Sequence, residues 1–297
     1  MYVTGPPTAG PGGPDGRFPL PLAGVVTRSY PQGRPFRAPG VRILTDLGVA
    51  HGLTVDVADY QRRTRSTYTE MVADLAGELA SADRPIGLVV LAHGTPDAET
   101  QWPSCWLAAA LPGEPLSFAV ADHGIVTPFL ALRVAAAYVG SHDLSRAAVV
   151  VLEQTALLRD PAAGEAPEPT ENRATALIFD RAGDLGELRV QLRTGVCTES
   201  ATGLVRARLA NGDPGEALVV GGALARGVPV SAAGAGRAVA APAGLPCTGP
   251  WTAFAAGVAG WRRAAVDRVR LVDHEPRLDT VGECVVDLAR PQQVRHA

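Results

Sequence analysis

Asp122 and His123 are adjacent titratable residues in the short stretch ADHG, just ahead of an apolar segment that begins at Pro128. A carboxylate beside an imidazole on a loop entering a buried helix can serve as a general acid and base, or can orient an acyl group. The same pair can be purely local structure, with Asp122 capping the helix start and His123 bonded to nearby backbone. His93 follows the apolar run GLVVLA, Gly87 to Ala92. That run reads as a buried strand, and His93 then stands at its carboxyl end, where open α/β sheets place ligands; a loop-capping histidine is the plainer expectation. The four cysteines, Cys105, Cys197, Cys247 and Cys284, are far apart and form no CxxC pair. Such spacing predicts reduced thiols in a cytoplasmic chain, with no disulfide framework and no metal site. All 27 basic residues are arginine. Without lysine there is no Schiff base, no pyridoxal attachment and no phosphate-cradling P-loop lysine.

These residues need a scaffold, and the chain has the material for one. It holds 297 residues, 46% hydrophobic and 19% charged, with a net charge of −3. That is enough apolar mass for one large domain or two fused units. The even charge gives no footprint for nucleic acid or an anionic membrane. No apolar run is expected to reach the roughly 18 residues of a membrane span. Residues 1–18 are rich in Gly and Pro, predict a flexible tail, and lack the apolar core of a signal peptide.

Helix and strand signals alternate after that. Leu22 to Arg28 reads as a strand, and Arg42 to Thr54 as the end of a helix. Thr67 to Ala80 is the clearest helix: Tyr68, Met71, Val72, Leu75 and Leu79 share one face, and Thr67 with Glu70 fits a capping box. Ser104 to Leu111 predicts a helix, Leu116 to Ala121 a strand, Pro128 to Val139 a buried helix, and Ala147 to Leu152 a buried strand. Asp160 to Thr170, rich in Pro, Ala and Glu, marks a boundary, giving units 19–165 and 166–297. In the second unit Ala174 to Phe179 and Leu188 to Leu192 look like a strand pair with a turn between them. Ser200 to Leu209 follows as a helix, Ala217 to Val220 as a strand, Trp251 to Trp261 as a helix, and Arg268 to Val272 and Gly282 to Leu288 as strands. Strands alternating with helices in both units imply a parallel-biased α/β sheet and a possible duplication.

Several stretches resemble the ketoacyl synthase III branch of the thiolase superfamily. Thr95-Pro96-Asp97, Trp102-Pro103-Ser104 and Phe118-Ala119-Val120 follow one another as that family's TPD loop, FPS turn and FDI strand do. ENRATALIFDRAGDLGEL is similar to its DGAGA hairpin, PCTGPWTAFAAGV to its GNTSAAS helix start, and DRVRLVDHEPRLDTVGECVVDL to its closing LVGFGxGxxWG hairpin. The resemblance covers nearly all of residues 19 to 290. It implies a thiolase-like α/β fold, five-layered αβαβα, built from two duplicated halves and usually dimeric across the nucleophile-bearing strand. In that family a Cys at a helix tip forms the acyl thioester, and a His and an Asn stabilise the enolate. Here the nucleophile place falls on Gly124 or Ile125, the His place on Gly221-Gly222 and the Asn place on Cys247.

The resemblance therefore implies acyl-thioester metabolism without ordinary condensation. One reading is a non-catalytic subunit with a chain-length or carrier-docking role, as a homodimer or a heterodimer with a catalytic ketosynthase, beside an acyl carrier protein. It would serve polyketide or fatty-acid-like secondary metabolism, need no cofactor of its own, and meet acyl-CoA or acyl-carrier phosphopantetheine as ligand. The other is an acyltransferase or thioester hydrolase using Asp122, His123, His93 or Cys247; a ligand-binding scaffold is a third. Trp102 matches the aromatic that reaches into the partner's acyl pocket. Arg262, Arg263, Arg268 and Arg270 could meet a phosphopantetheine, though solvated surface is the expectation. His274 is expected to be a satisfied histidine, Cys105 packing, and Cys197 and Cys284 structural.

Overall fold

Short runs of Val, Ala and Leu, too apolar to face water, build a ten-stranded sheet in which one five-strand pattern occurs twice. In this computed structural model the described residues are 16–31, 33–35, 38–50, 52, 56–81, 83–95, 97, 102–155, 169–230 and 237–289. The chain begins with β1 (Leu22–Ser29), β2 (Arg34–Pro35), α1 (Ala38–Ala50), α2 (Val57–Arg62), β3 (Thr64–Arg65) and α3 (Tyr68–Leu79). It continues through β4 (Leu88–His93), α4 (Pro103–Ala110), β5 (Leu116–Ala121), α5 (Thr127–Ser141), β6 (Arg146–Glu153) and β7 (Arg173–Asp180). The second half runs β8 (Gly186–Arg193), α6 (Thr198–Asn211), β9 (Glu216–Val220), α7 (Gly222–Ala225), β10 (Ala238–Ala240), α8 (Gly249–Arg263), β11 (Arg268–Glu275) and β12 (Thr280–Leu288). β2 and β3 pair separately.

The strand order is β10-β9-β11-β12-β8-β1-β7-β6-β4-β5. In the first half β4 is parallel to β5 and β6, and β7 is antiparallel to β6 and β1. In the second half β9 is parallel to β10 and β11, and β12 is antiparallel to β11 and β8. The two topologies are identical, so the duplication that composition could only hint at is a property of the fold. The helices repeat too: α3, α4 and α5 occupy the connections that α6, α7 and α8 occupy in the second half.

Side-chain alternation along each strand divides the interior into layers. Leu88, Val90 and Ala92 of β4 join Val149, Val219, Leu271 and Cys284 in a central core with Phe129 and Leu132 of α5 and Trp251 and Phe254 of α8. Val89 and Leu91 face the other way, into a second core under α3 and α4. Leu218, Val220 and Val272 form a third core under α6 and α7. Outer helices, half-sheet, central α5 and α8, half-sheet and outer helices make the five αβαβα layers.

The capping box of α3 is present, and all five residues of its apolar stripe are buried. Three expectations are corrected. β7 and β8 are not a strand pair: β1 lies between them, bonded to β7 along its length, and the connection wraps the chain start, with the Leu185 N–H donating to the Leu22 carbonyl (3.0 Å). For the same reason the first half-sheet closes with β7, while the expected boundary at residue 165 lies outside the described residues. The predicted tail ends earlier than residue 18, because Phe18 is buried and stacked on Phe179 at 3.8 Å, and Arg17 bridges to Arg189. The 18 residues Gly124–Ser141 are apolar and long enough to span a bilayer, against expectation; α5 gains that composition by lying between two sheets.

Candidate active site

The central helices α5 and α8 both begin near the carboxyl ends of the central strands. A helix start leaves N–H groups without intrahelical partners and carries a partial positive charge, so it attracts an anion. Each start receives a glutamate from the opposite half. Glu153, the last residue of β6, accepts from the Cys247 N–H (2.6 Å), the Thr248 N–H (2.9 Å) and the Thr248 hydroxyl at the start of α8. Glu275, the last residue of β11, accepts from the Ile125 N–H (3.0 Å) in the 3₁₀ turn Gly124–Val126 that leads into α5. β6 and β11 are counterparts in the duplication, so the two contacts are reciprocal.

Cys247 lies between these groups. Its thiol donates to the Gly124 carbonyl (3.4 Å) and is approached by the Gly94 amide. Burial, with Glu153, Asp273 and Glu275 close by, pushes the thiol well above its ordinary pKa. It is a protonated, poor nucleophile. His93 is 9% exposed, holds the Thr95 carbonyl through Nδ1 (2.7 Å) and packs on Tyr68 at 5.0 Å. Burial pushes its pKa down, so it is neutral near pH 7. That contact is the one a loop-capping histidine makes.

Asp122 and His123 are exposed. Asp122 has φ +66, and His123 meets its own Ala121 carbonyl through Nδ1 (2.8 Å). His123 takes the local role; no side chain of this loop caps the turn, and the carboxylate serving it comes from Glu275. Trp102 is 74% exposed at the start of α4, and Trp106 and Leu116 are exposed beside the unpaired edge of β5. Sequence reasoning pointed to residues in two settings: His93 and Cys247, on either side of Gly94, are buried, while Asp122, His123 and Trp102 are exposed, with the Asp122 charge still acting on His93.

The residues it missed are Glu153, Asp273 and Glu275. Asp273 is fully buried; Oδ1 accepts from the His274 N–H (2.9 Å), and Oδ2 has no partner. Burial raises its pKa to about 8, against the pull of that N–H and of Arg226. Burial likewise raises Glu153 to about 7. Two glycines make room for these acids. A Cβ at Gly124 (φ +54) would fall on the Glu275 carboxylate, and one at Gly221 would fall on that of Asp273. The available signal was β6 and β11 running on past Leu152 and Val272 into acidic residues.

Other expectations resolve locally. His274 is buried, with Nε2 at 2.8 Å from the Val196 carbonyl. Arg270 is not solvated surface: it chelates Glu216 (2.8 and 2.9 Å) and pairs with Glu283. All four cysteines are free, Cys105 and Cys197 exposed, Cys247 and Cys284 buried. Among the described residues no cluster of three or more His, Cys, Asp or Glu has the arrangement of a metal site. A cavity of about 590 Å³ lies at the far end of α5, lined by Pro19, Pro21, Gly140, His142 and Arg181 among others, well away from these acids.

No protein-family profile matches the chain, and no curated protein matches it in sequence. Solved structures do match. The acyltransferase ChlB3 superposes with a TM-score of 0.60 at 14% identity, over 94% of this chain and 99% of that one. AbyA1, a tetronic acid condensing enzyme, gives 0.59 at 12% over 90% and 100%. OleA of Xanthomonas campestris gives 0.57 at 12% over 92% and 99%. Duplicated half-sheets around two central helices, matched over almost the full length of these proteins, give this chain a thiolase-like fold.

Proposed function

We propose that this chain is a ketosynthase III-like subunit that does not itself condense acyl groups and works beside a catalytic homologue on acyl thioesters. The observation that carries this reading is the chemistry at the helix tip. Gly124 offers no nucleophile, Gly221 no imidazole, and the Cys247 thiol of the inner site is buried with its pKa pushed up. The solved structures it resembles include an acyltransferase and a condensing enzyme, which favours acyl-thioester substrates and polyketide- or lipid-like products. The partner reading is supported by the open edge of β5, flanked by exposed Trp102, Trp106 and Leu116, an apolar strip ready to meet a second sheet. Trp102 is then the residue that enters the partner's acyl pocket.

The test is acyl uptake. The purified chain, incubated with labelled acyl-CoA, is expected to retain no label and release no CoA thiol, and to co-purify with a cysteine-bearing homologue. Turnover by the isolated chain that disappears in His123→Ala would replace this reading with an acyltransferase or thioester hydrolase built on Asp122 and His123.

A further inference from the structure

Resting on the reading above, we infer that Glu275 is an internal occupant of the acyl-accepting position at the tip of α5, and that this occupation, beyond the missing nucleophile, keeps the chain from taking an acyl group. Three observations converge. The carboxylate of Glu275 holds the Ile125 N–H at 3.0 Å, the amide at the helix tip that would otherwise meet an anionic oxygen. It fills the space into which a side chain at position 124 would project. The filling is a paired exchange: Gly124 faces Glu275 and Gly221 faces Asp273, so both places that lost a side chain are refilled from the end of β11. The closing strand reads LVDHE where the resembled pattern reads LVGFG, so small residues have become acids where reactive residues have become glycines.

If that is the role of Glu275, a thiol placed at position 124 is insufficient. In Gly124→Cys the side chain collides with the carboxylate, and its charge opposes a thiolate. In Gly124→Cys/Glu275→Ala the thiolate can attack the acetyl-CoA carbonyl: the protein S–C bond forms, the CoA S–C bond breaks, and the CoA thiolate leaves and takes a proton. Peptide-mapped mass spectrometry after incubation with acetyl-CoA is expected to find acetyl at position 124 at least tenfold more in the double variant than in Gly124→Cys. Equal acetylation of the two, or none in a double variant that melts cooperatively, overturns the inference and leaves the non-catalytic reading standing. Release of CoA by the unmodified chain defeats that reading instead. Because Gly124 is in the left-handed region and Gly124→Cys can misfold, Glu275→Ala alone provides a second measurement. Acetate, a carboxylate of the deleted group's chemistry, is expected to raise the melting temperature of Glu275→Ala and not that of the unmodified chain; an equal response of both proteins overturns the inference.

Discussion

Buried carboxylates are the costliest residues in this protein, and their positions explain their protonation. Asp273 has no exposed surface and one oxygen without a partner, so the charged form is disfavoured and its pKa rises to about 8. A folded-state pKa above the unfolded one means the native state holds the extra proton. The stability it contributes is complete below the unfolded value of 3.8 and is lost as pH climbs through about 8. Glu153, raised to about 7, acts in the same direction. The melting temperature is therefore expected to fall between about pH 4 and about pH 8, and to fall less in Asp273→Asn; parallel curves for the two proteins would remove burial as the cause. Glu153→Ala leaves the Cys247 and Thr248 N–H groups and the Thr248 hydroxyl buried without their acceptor. It is expected to cost about 2–4 kcal/mol in denaturant unfolding. His123 is exposed and meets only the nearby Ala121 carbonyl, so His123→Ala is expected to shift stability by less than about 0.5 kcal/mol.

Elements in this chain were legible where a local pattern decides them. α3 has its stripe within twelve residues and its capping box begins on the residue just before them, and β4, β5, β6 and β9 are short, largely apolar runs. Thr67→Ala removes the box and is expected to cost about 1 kcal/mol, read from the urea midpoint. Leu75→Ala, in the middle of the stripe, is expected to cost about 3 kcal/mol because the surrounding core cannot close fully. What local pattern missed were elements whose residues contradict their surroundings. β10 is three residues of Ala and Val in a Gly/Ala-rich stretch and becomes a strand only by pairing with β9. β11 continues through Asp273, His274 and Glu275 because β12 bonds it to the end.

At the scale of the whole molecule, two half-sheets clasp α5 and α8, and each half sends a glutamate to the other's central helix. The halves therefore depend on each other, and unfolding is expected as a single cooperative transition by calorimetry; two separated transitions would contradict the shared core. The exposed edge of β5 belongs to this scale as well. On the proposed pairing, Leu116→Lys is expected to weaken association by at least tenfold in sedimentation while leaving the melting temperature of the separated chain within a few degrees.

The amino-acid sequence alone determined the alternation of strand and helix and the apolar stripes, because each follows from chemistry spread over a few neighbouring positions. Tertiary structure alone decided that β1 separates β7 from β8, and that Glu153 and Glu275 reach helix starts 94 and 150 residues away. It also set Asp122 and His123 outside while Cys247 was sealed within. Glu153 is bearable in the interior because distant N–H groups meet it, and Glu275 adds the distant Ile125 N–H to the local one of Arg277; no window of adjacent residues contains those distant donors.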